Sequence, residues 1–190
     1  MDVLPDAVRI RLTGRGGQGI MLAGAILAEA AMRDHWHVVQ TQEYGPEARL
    51  GATRADVVVA KGEIAYPEVD AADLLLCLSR DGALRYVKTL AAAGTALIDS
   101  RFADDVAPPE RPGARVVALP LVATARETGD EITTNVVGLG ALVGLSGLLG
   151  EETLAAALAA RVKPEFAALN RRALAAGIAL GHGARLTRAG

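Results

Sequence analysis

Residues 13–19 read TGRGGQG, from Thr13 to Gly19, with four glycines in seven positions. What flanks this stretch decides the fold. Just before it, Val8-Arg9-Ile10-Arg11-Leu12 alternates apolar and charged side chains, which predicts a strand over 8–12. Just after it, QGIMLAGAILAEAAMR at 18–33 puts Ile20, Ala23, Leu27, Ala30 and Ala31 on one helical stripe, with Gly24 allowing close approach to a sheet. A second strand over 38–42 follows at the spacing of a βαβ unit. A chain bends this sharply either to close a tight turn or to let a ligand reach its backbone. Gly14 is expected to permit the turn, and Gly16-Gly17 to clear side chains from an approach path. The amides around Gln18, Gly19 and Ile20 would then face outward at the positive end of the helix dipole. A phosphate or carboxylate placed there gains roughly 0.3–2 kcal/mol from the dipole alone.

Working outward, EYGPEARLGA at 43–52 reads as a loop, because Gly45-Pro46 interrupts any regular element. Residues 53–60 form a strand that is expected to turn through Lys61-Gly62 into an antiparallel partner at Ile64-Ala65-Tyr66. The nearly continuous apolar run 73–78 suits a strand buried on both faces. A helix should start at Ser79-Arg80-Asp81 and run to about Ala92, ended by Gly94. Strands follow over 95–98, delivering Asp99-Ser100 at its carboxyl end, and over 115–119, separated by a Pro-rich loop over 101–113. The remainder is helical, over 120–127, 134–149, 151–160 and 164–179, with a frayed tail from Gly181. This order predicts an α/β fold. It is a three-layer α/β/α sandwich with a Rossmann-like, mostly parallel mixed sheet and a helical C-terminal part, all within a single domain over 1–190.

Composition narrows the partners. A formal net charge of -2 argues against nucleic acid or an anionic membrane surface. The N-terminus MDVLPDAVRIRL has neither a cationic start nor a long apolar run, so no signal peptide is expected, and the glycine-broken apolar stretch 136–149 suits a buried helix. A cytoplasmic protein is expected. The single cysteine, Cys77, lies inside Leu74-Leu75-Leu76-Cys77-Leu78 and reads as a small buried hydrophobe. One cysteine cannot by itself hold an ordinary iron–sulfur cluster.

Gly14, Gly16 and Gly19 match G-x-G-x-x-G in a strand–loop–helix setting, which points first to a dinucleotide. That reading needs an acid near the end of the second strand. Asp34 comes too early, and Glu43 is the only fair candidate. No lysine follows the loop as in a nucleoside-triphosphate site. Other polar residues read more simply. His35 and His37 lack a third metal ligand, Asp99 and Asn135 suit caps or buried bridges, Asn170 faces a helix, and Tyr44 suits an interface anchor.

TGRGGQG followed by QTQEYGPEARLGATRADVVVAKGEIAYPEV resembles the gamma-subunit family of 2-oxoacid:ferredoxin oxidoreductases. The resemblance rests on a G-x-G-G-Q-G loop, then Tyr-Gly-Pro-Glu-x-Arg, then a strand and an Ile-x-x-Pro segment. It continues through Asp73, LIDS at 97–100, Asn135, Asn170 and Gly177, and so covers nearly the whole chain. The wording TQEYGPEAR is most similar to the 2-oxoglutarate members, although pyruvate, branched-chain and indolepyruvate enzymes share the domain. Leu50 stands where the family usually has a glycine.

The resemblance implies part of an enzyme. Such complexes decarboxylate a 2-oxoacid on thiamine diphosphate, reduce ferredoxin through iron–sulfur clusters and release an acyl-CoA. Thiamine, Mg and the clusters would sit on alpha, beta and, where present, delta subunits, with ferredoxin an indirect partner. This chain would contribute to the approach of coenzyme A. Gly14, Gly16, Gly17, Gln18, Gly19, Tyr44, Arg49 and Arg54 would then face either coenzyme A or a neighbouring subunit, while a plain βα turn with interface ion pairs stays open. A free-standing NAD- or FAD-binding oxidoreductase and a purely structural interaction protein are the competing classes. The Ala/Gly/Leu-rich stretch 134–160 is compatible with an interface, including a homodimer of isolated chains.

Overall fold

A computed structural model describes residues 6–44 and 52–186, apart from the side chains of residues 43, 44, 52 and 186. The strands are β1 (Ala7–Arg15), β2 (His37–Tyr44), β3 (Ala52–Ala60), β4 (Ala72–Cys77), β5 (Leu90–Asp99) and β6 (Arg115–Leu119). The helices are α1 (Ile20–Arg33), α2 (Arg80–Tyr86), α3 (Leu121–Thr128), α4 (Thr134–Ser146), α5 (Glu151–Arg161) and α6 (Ala167–Leu186). The described strands form one mixed sheet in the order β2-β3-β1-β4-β5-β6. β3 runs antiparallel to β1 and β2, and the pairs β1–β4, β4–β5 and β5–β6 are parallel.

The predicted βαβ unit is present but split. β3 lies between β1 and β2, so β1 and β2 do not touch. This also removes the expected antiparallel strand at 64–66. Both edges of β3 are already occupied, and the chain after Lys61 instead crosses toward β4, burying Val69 on the way. The sequence order reverses between β1 and β4, which makes their carboxyl ends the topological switch point of the sheet.

The two faces of the sheet are covered unequally. One carries α1, α4 and the other C-terminal helices over Ile10, Leu12, Val57, Val59, Leu76 and Leu97. The other is covered by α2 and short segments over Val58, Leu75, Cys77, Ala96 and Ile98. α4 is buried on every side from Thr134 to Leu145 and lies between the sheet and α6. Glycines make this placement possible. A Cβ on Gly138 would come 3.1 Å from Leu78 and 3.2 Å from Leu76, and one on Gly140 would come 2.6 Å from the Leu174 carbonyl oxygen. Gly177 and Gly181 of α6 place their Cα atoms directly against the carbonyls of Val137 and Ala141. The seam is therefore backbone on backbone, with dispersion contacts that larger side chains would prevent.

Two helix ends differ from expectation. α2 stops at Tyr86, a 3₁₀ turn covers Val87–Thr89, and β5 begins at Leu90. The alanine run 91–93 reads as helix by propensity, but it lies in β5 between the β4-paired residues Leu90 and Thr95, and the Ala93 amide donates to the Pro112 carbonyl at 2.8 Å. Gly94 then marks an irregularity in β5, where the register jumps between the pairs Ala72–Leu90 and Leu74–Thr95, and Ala93 takes φ 58°. A Cβ on Gly94 would lie 2.8 Å from the Ala72 carbonyl oxygen. At the other end, α6 continues through the predicted frayed tail to Leu186, because Gly181 keeps it seated on α4.

Candidate functional site

The glycine loop leaves β1 at the switch point and enters α1. Gly14 is a buried strand residue and does not make the turn. Its missing side chain is what lets Gln18 fold back, since a Cβ there would meet Gln18 Oε1 at 2.7 Å and Ile20 at 2.9 Å. The left-handed conformations fall at Gly17 (φ 91°) and Gly19 (φ 69°). The Gln18 carboxamide closes the loop on both sides. Its Oε1 accepts from the Arg15 amide at 2.6 Å, and its Nε2 donates to the Leu78 carbonyl at 3.1 Å. The crevice between the ends of β1 and β4 is thus bridged by the loop's own side chain.

The amide of Gln18 does not face outward as expected, because it donates to the Arg15 carbonyl at 3.1 Å. The amides of Gly16, Gly17 and Gly19 have no acceptor among the described residues. A Cβ at Gly17 would meet nothing within 4 Å, so the backbone there opens onto free space. α1 begins without a side-chain cap and without an acidic residue in its first turn, so nothing in that turn offsets the positive end of its dipole.

Beside the loop, Asn135 in the first turn of α4 donates to the Gly19 carbonyl at 3.2 Å. Its sequence reading as a buried bridge is borne out, across 116 positions of chain. Asp99 acts as a double cap. Oδ1 accepts from the Arg101 amide at 2.9 Å and Oδ2 from the Val122 amide at 2.8 Å, joining β5 to the start of α3. Asn170 donates to the Phe166 carbonyl at 3.0 Å within its own helix region. Cys77 is fully buried, and burial pushes its thiol well above the ordinary range, which keeps it protonated and inert.

Arg54 sits opposite Thr13 in the β1–β3 register and so belongs to the same end of the sheet as the loop. Its Nε lies 3.3 Å from Asp56 Oδ2. Asp56 is also held by Arg11, through Nε to Oδ1 and through an Nη to Oδ2, each at 2.8 Å. Arg11 further donates to the Val69 carbonyl and lies 4.9 Å from the centre of the Tyr86 ring. Sequence reasoning missed this buried pair, because an arginine alternating with apolar residues looks like a solvated strand face. The exposed Arg15 pairs with Asp81 of α2 at 3.3 Å. Arg49, Leu50 and the Gly45-Pro46 turn lie outside the described residues, as does the side chain of Tyr44, whose backbone ends β2.

Of the two acids weighed for a dinucleotide, Glu43 has its side chain outside the described residues, and Asp34 is a structural group. Asp34 accepts from the Gly150 amide at 2.6 Å and the Thr153 hydroxyl at 2.7 Å, tying α1 to α5. A concavity of about 920 Å³ lies at the far edge of the sheet, where β6 meets α3 and α6. Its lining is mainly Val117, Leu119, Leu180 and small residues, with Arg115, Thr124 and Glu127 as its polar side chains. The loop lies at the switch point, and its Gly16, Gly17 and Gly19 amides have no acceptor among the described residues, which makes it the candidate site.

Comparison with known proteins places the chain in a family. The profile of the pyruvate ferredoxin/flavodoxin oxidoreductase family matches residues 9–180. The 2-oxoglutarate synthase subunit KorC of Methanothermobacter marburgensis is 38% identical over 176 residues, covering 88% of this chain and 93% of that one. The crystal structure of a keto/oxoacid ferredoxin oxidoreductase gamma subunit from Geobacter sulfurreducens superposes with a TM-score of 0.81 at 36% identity, over 93% of this chain and 99% of the other. The fold also recurs within a longer chain. A 2-oxoglutarate:ferredoxin oxidoreductase from Magnetococcus marinus, solved with 2-oxoglutarate, coenzyme A and succinyl-CoA bound, matches 95% of this chain with 32% of its own, at TM-score 0.83 and 24% identity. By its profile match and by relatives that align along nearly its full length, the chain belongs to the pyruvate ferredoxin/flavodoxin oxidoreductase family.

Proposed function

We propose that this chain is the gamma subunit of a 2-oxoglutarate:ferredoxin oxidoreductase, and that its glycine loop forms one wall of the path by which coenzyme A reaches the active site. The observation that carries the second half is the bare amino end of α1. It has no cap and no acid, and the amides of Gly16, Gly17 and Gly19 have no acceptor among the described residues. Such an arrangement favours a phosphate or a carboxylate. The first half is supported by the KorC relatives, which are named as subunits of 2-oxoglutarate synthase.

In this reading the chain works inside a cytoplasmic complex. Alpha, beta and, where present, delta subunits carry thiamine diphosphate, Mg and the iron–sulfur clusters, and pass electrons to ferredoxin. The residues here suit that division of labour, since the single cysteine is buried and protonated. Tyr44, Arg49 and Arg54 would face coenzyme A or a neighbouring subunit beside the loop. A free dinucleotide site fits less well, because the Gln18 side chain bridges the switch-point crevice.

The test is coenzyme A-dependent reduction of ferredoxin or a viologen dye by the purified complex, with 2-oxoglutarate, pyruvate and branched-chain 2-oxoacids compared. Activity is expected chiefly with 2-oxoglutarate. Gly16→Val should raise the KM for coenzyme A while the complex stays assembled. An unchanged KM with assembly intact would remove the loop from the coenzyme A path.

A further inference from the structure

We propose that Asn135 is a positioning residue that sets the conformation of the glycine loop, so that the buried helix α4 determines how the loop meets its ligand. The proposal rests on the loop's being a ligand wall, and its test separates the two ideas.

Asn135 is 5% exposed, on a helix that is otherwise almost wholly apolar in its burial. A polar side chain in that setting needs a partner, and it has one in the Gly19 carbonyl. The same carbonyl accepts the first helical hydrogen bond of α1, from Ala23 at 2.9 Å. Asn135 therefore grips the one residue at which exposed loop becomes helix. Gly19 is in the left-handed region, at φ 69° and ψ 24°, where glycine alone is unstrained. Glycine's freedom also means that nothing local selects this conformation over others. The Asn135 carboxamide occupies the space a Cβ on Gly19 would take, so the contact and the residue type specify each other.

The grip has a firm base. Gly138, one turn along α4, lies against Leu76 and Leu78 of the sheet, and Gly140 and Gly144 lie against the backbone of α6. Leu78 also supplies the carbonyl that receives Gln18. The loop is thus held at two points. Gln18 ties its middle to the end of β4, and Asn135 ties its end to α4. Loss of the first frees the Arg15–Gln18 turn, while loss of the second frees the αL residue through which the loop enters α1.

The experiment compares wild type, Asn135→Asp and Asn135→Ala in the complex with its native partners, alongside Ala173→Gly, a buried α6 site that lowers stability without touching the loop. Hydrogen exchange of the 14–22 segment and the KM and kcat for coenzyme A are both measured. Asn135→Asp turns the donor into an acceptor facing the Gly19 carbonyl. It should speed exchange in that segment about tenfold and raise the KM several-fold, with kcat within about twofold. Asn135→Ala should shift both in the same direction should the aspartate variant fail to assemble, and Ala173→Gly should shift neither. Unchanged loop exchange in both variants overturns the proposal. So does an equal rise in KM for Ala173→Gly, or a KM that Gly16→Val raises and the Asn135 variants leave alone. Faster exchange with a KM that neither Gly16→Val nor the Asn135 variants move upholds the positioning role and overturns the coenzyme A reading instead.

Discussion

Two regions of this molecule are rich in glycine, and they use it for opposite ends. At Gly16 and Gly17 of the loop, glycine bares the backbone to solvent. At the seam between α4 and α6, glycine removes side chains so that one backbone can bury another. In the loop the special feature is conformation, with positive φ at Gly17 and Gly19. In the seam the conformation is ordinary helix and the special feature is proximity. Identical residues are therefore under different physical constraints, and composition alone cannot tell which one applies.

The contrast can be broken by giving each region a side chain. Gly177→Val drives a Cβ into the Val137 carbonyl, a wall of main chain that cannot rotate aside. We expect a loss of about 3 kcal/mol, read by urea denaturation of the isolated chain, even though the change improves helix propensity. Gly17→Ala meets nothing within 4 Å and carries only the strain of its φ of 91°. Its expected loss is about 1 kcal/mol. Equal effects at the two sites would mean that space and conformation had been assigned wrongly.

The smallest effect concerns the tie between α1, which carries the loop, and the helical half. Glu29 accepts from Arg33 at 2.8 Å and from Arg161 of α5 at 2.6 Å, and these two hydrogen bonds hold its carboxyl below the ordinary range. A carboxylate with a depressed folded pKa contributes its stability above the unfolded value and loses it as pH falls through the folded one. Glu29→Gln should therefore lower Tm slightly at neutral pH, and the difference from wild type should vanish in acid. A difference that persists or grows on acidification would show that the ion pairs are not its source. Solvent screening keeps the effect small.

Much of this architecture was legible in the residues. Alternation over 8–12, the apolar stripe of α1 and the apolar run of β4 each reflect a local period, and local periods survive in sequence. The insertion of β3 between β1 and β2 was not legible, because strand order is a property of long-range pairing. The start of β5 was misread because Ala91, Ala92 and Ala93 favour helix in isolation, whereas the pairing partner is remote. At the site, the glycine positions could be read but not the contacts that fix them. Gln18 reaches Leu78 across 60 positions and Asn135 reaches Gly19 across 116. Arg11 was hidden for a related reason, since its burial depends on Asp56, 45 positions away.

That last pair bears on how the sheet finds its alignment. β3 carries Val57, Val58 and Val59 in succession, all buried, so hydrophobicity gives little reason to prefer one alignment with β1 over another. Charge supplies the preference. In the native pairing Arg11 stands opposite Asp56. Sliding by two residues would set it against Arg54 in one direction and Val58 in the other, which means like charges in contact or a bare guanidinium in the core. A slide of β3 by one would carry Asp56 to the opposite face, among the residues that pack on α1. The ion pair thus acts as a key cut for one lock. Its worth lies less in holding the finished strands together than in making every misaligned version of them costly.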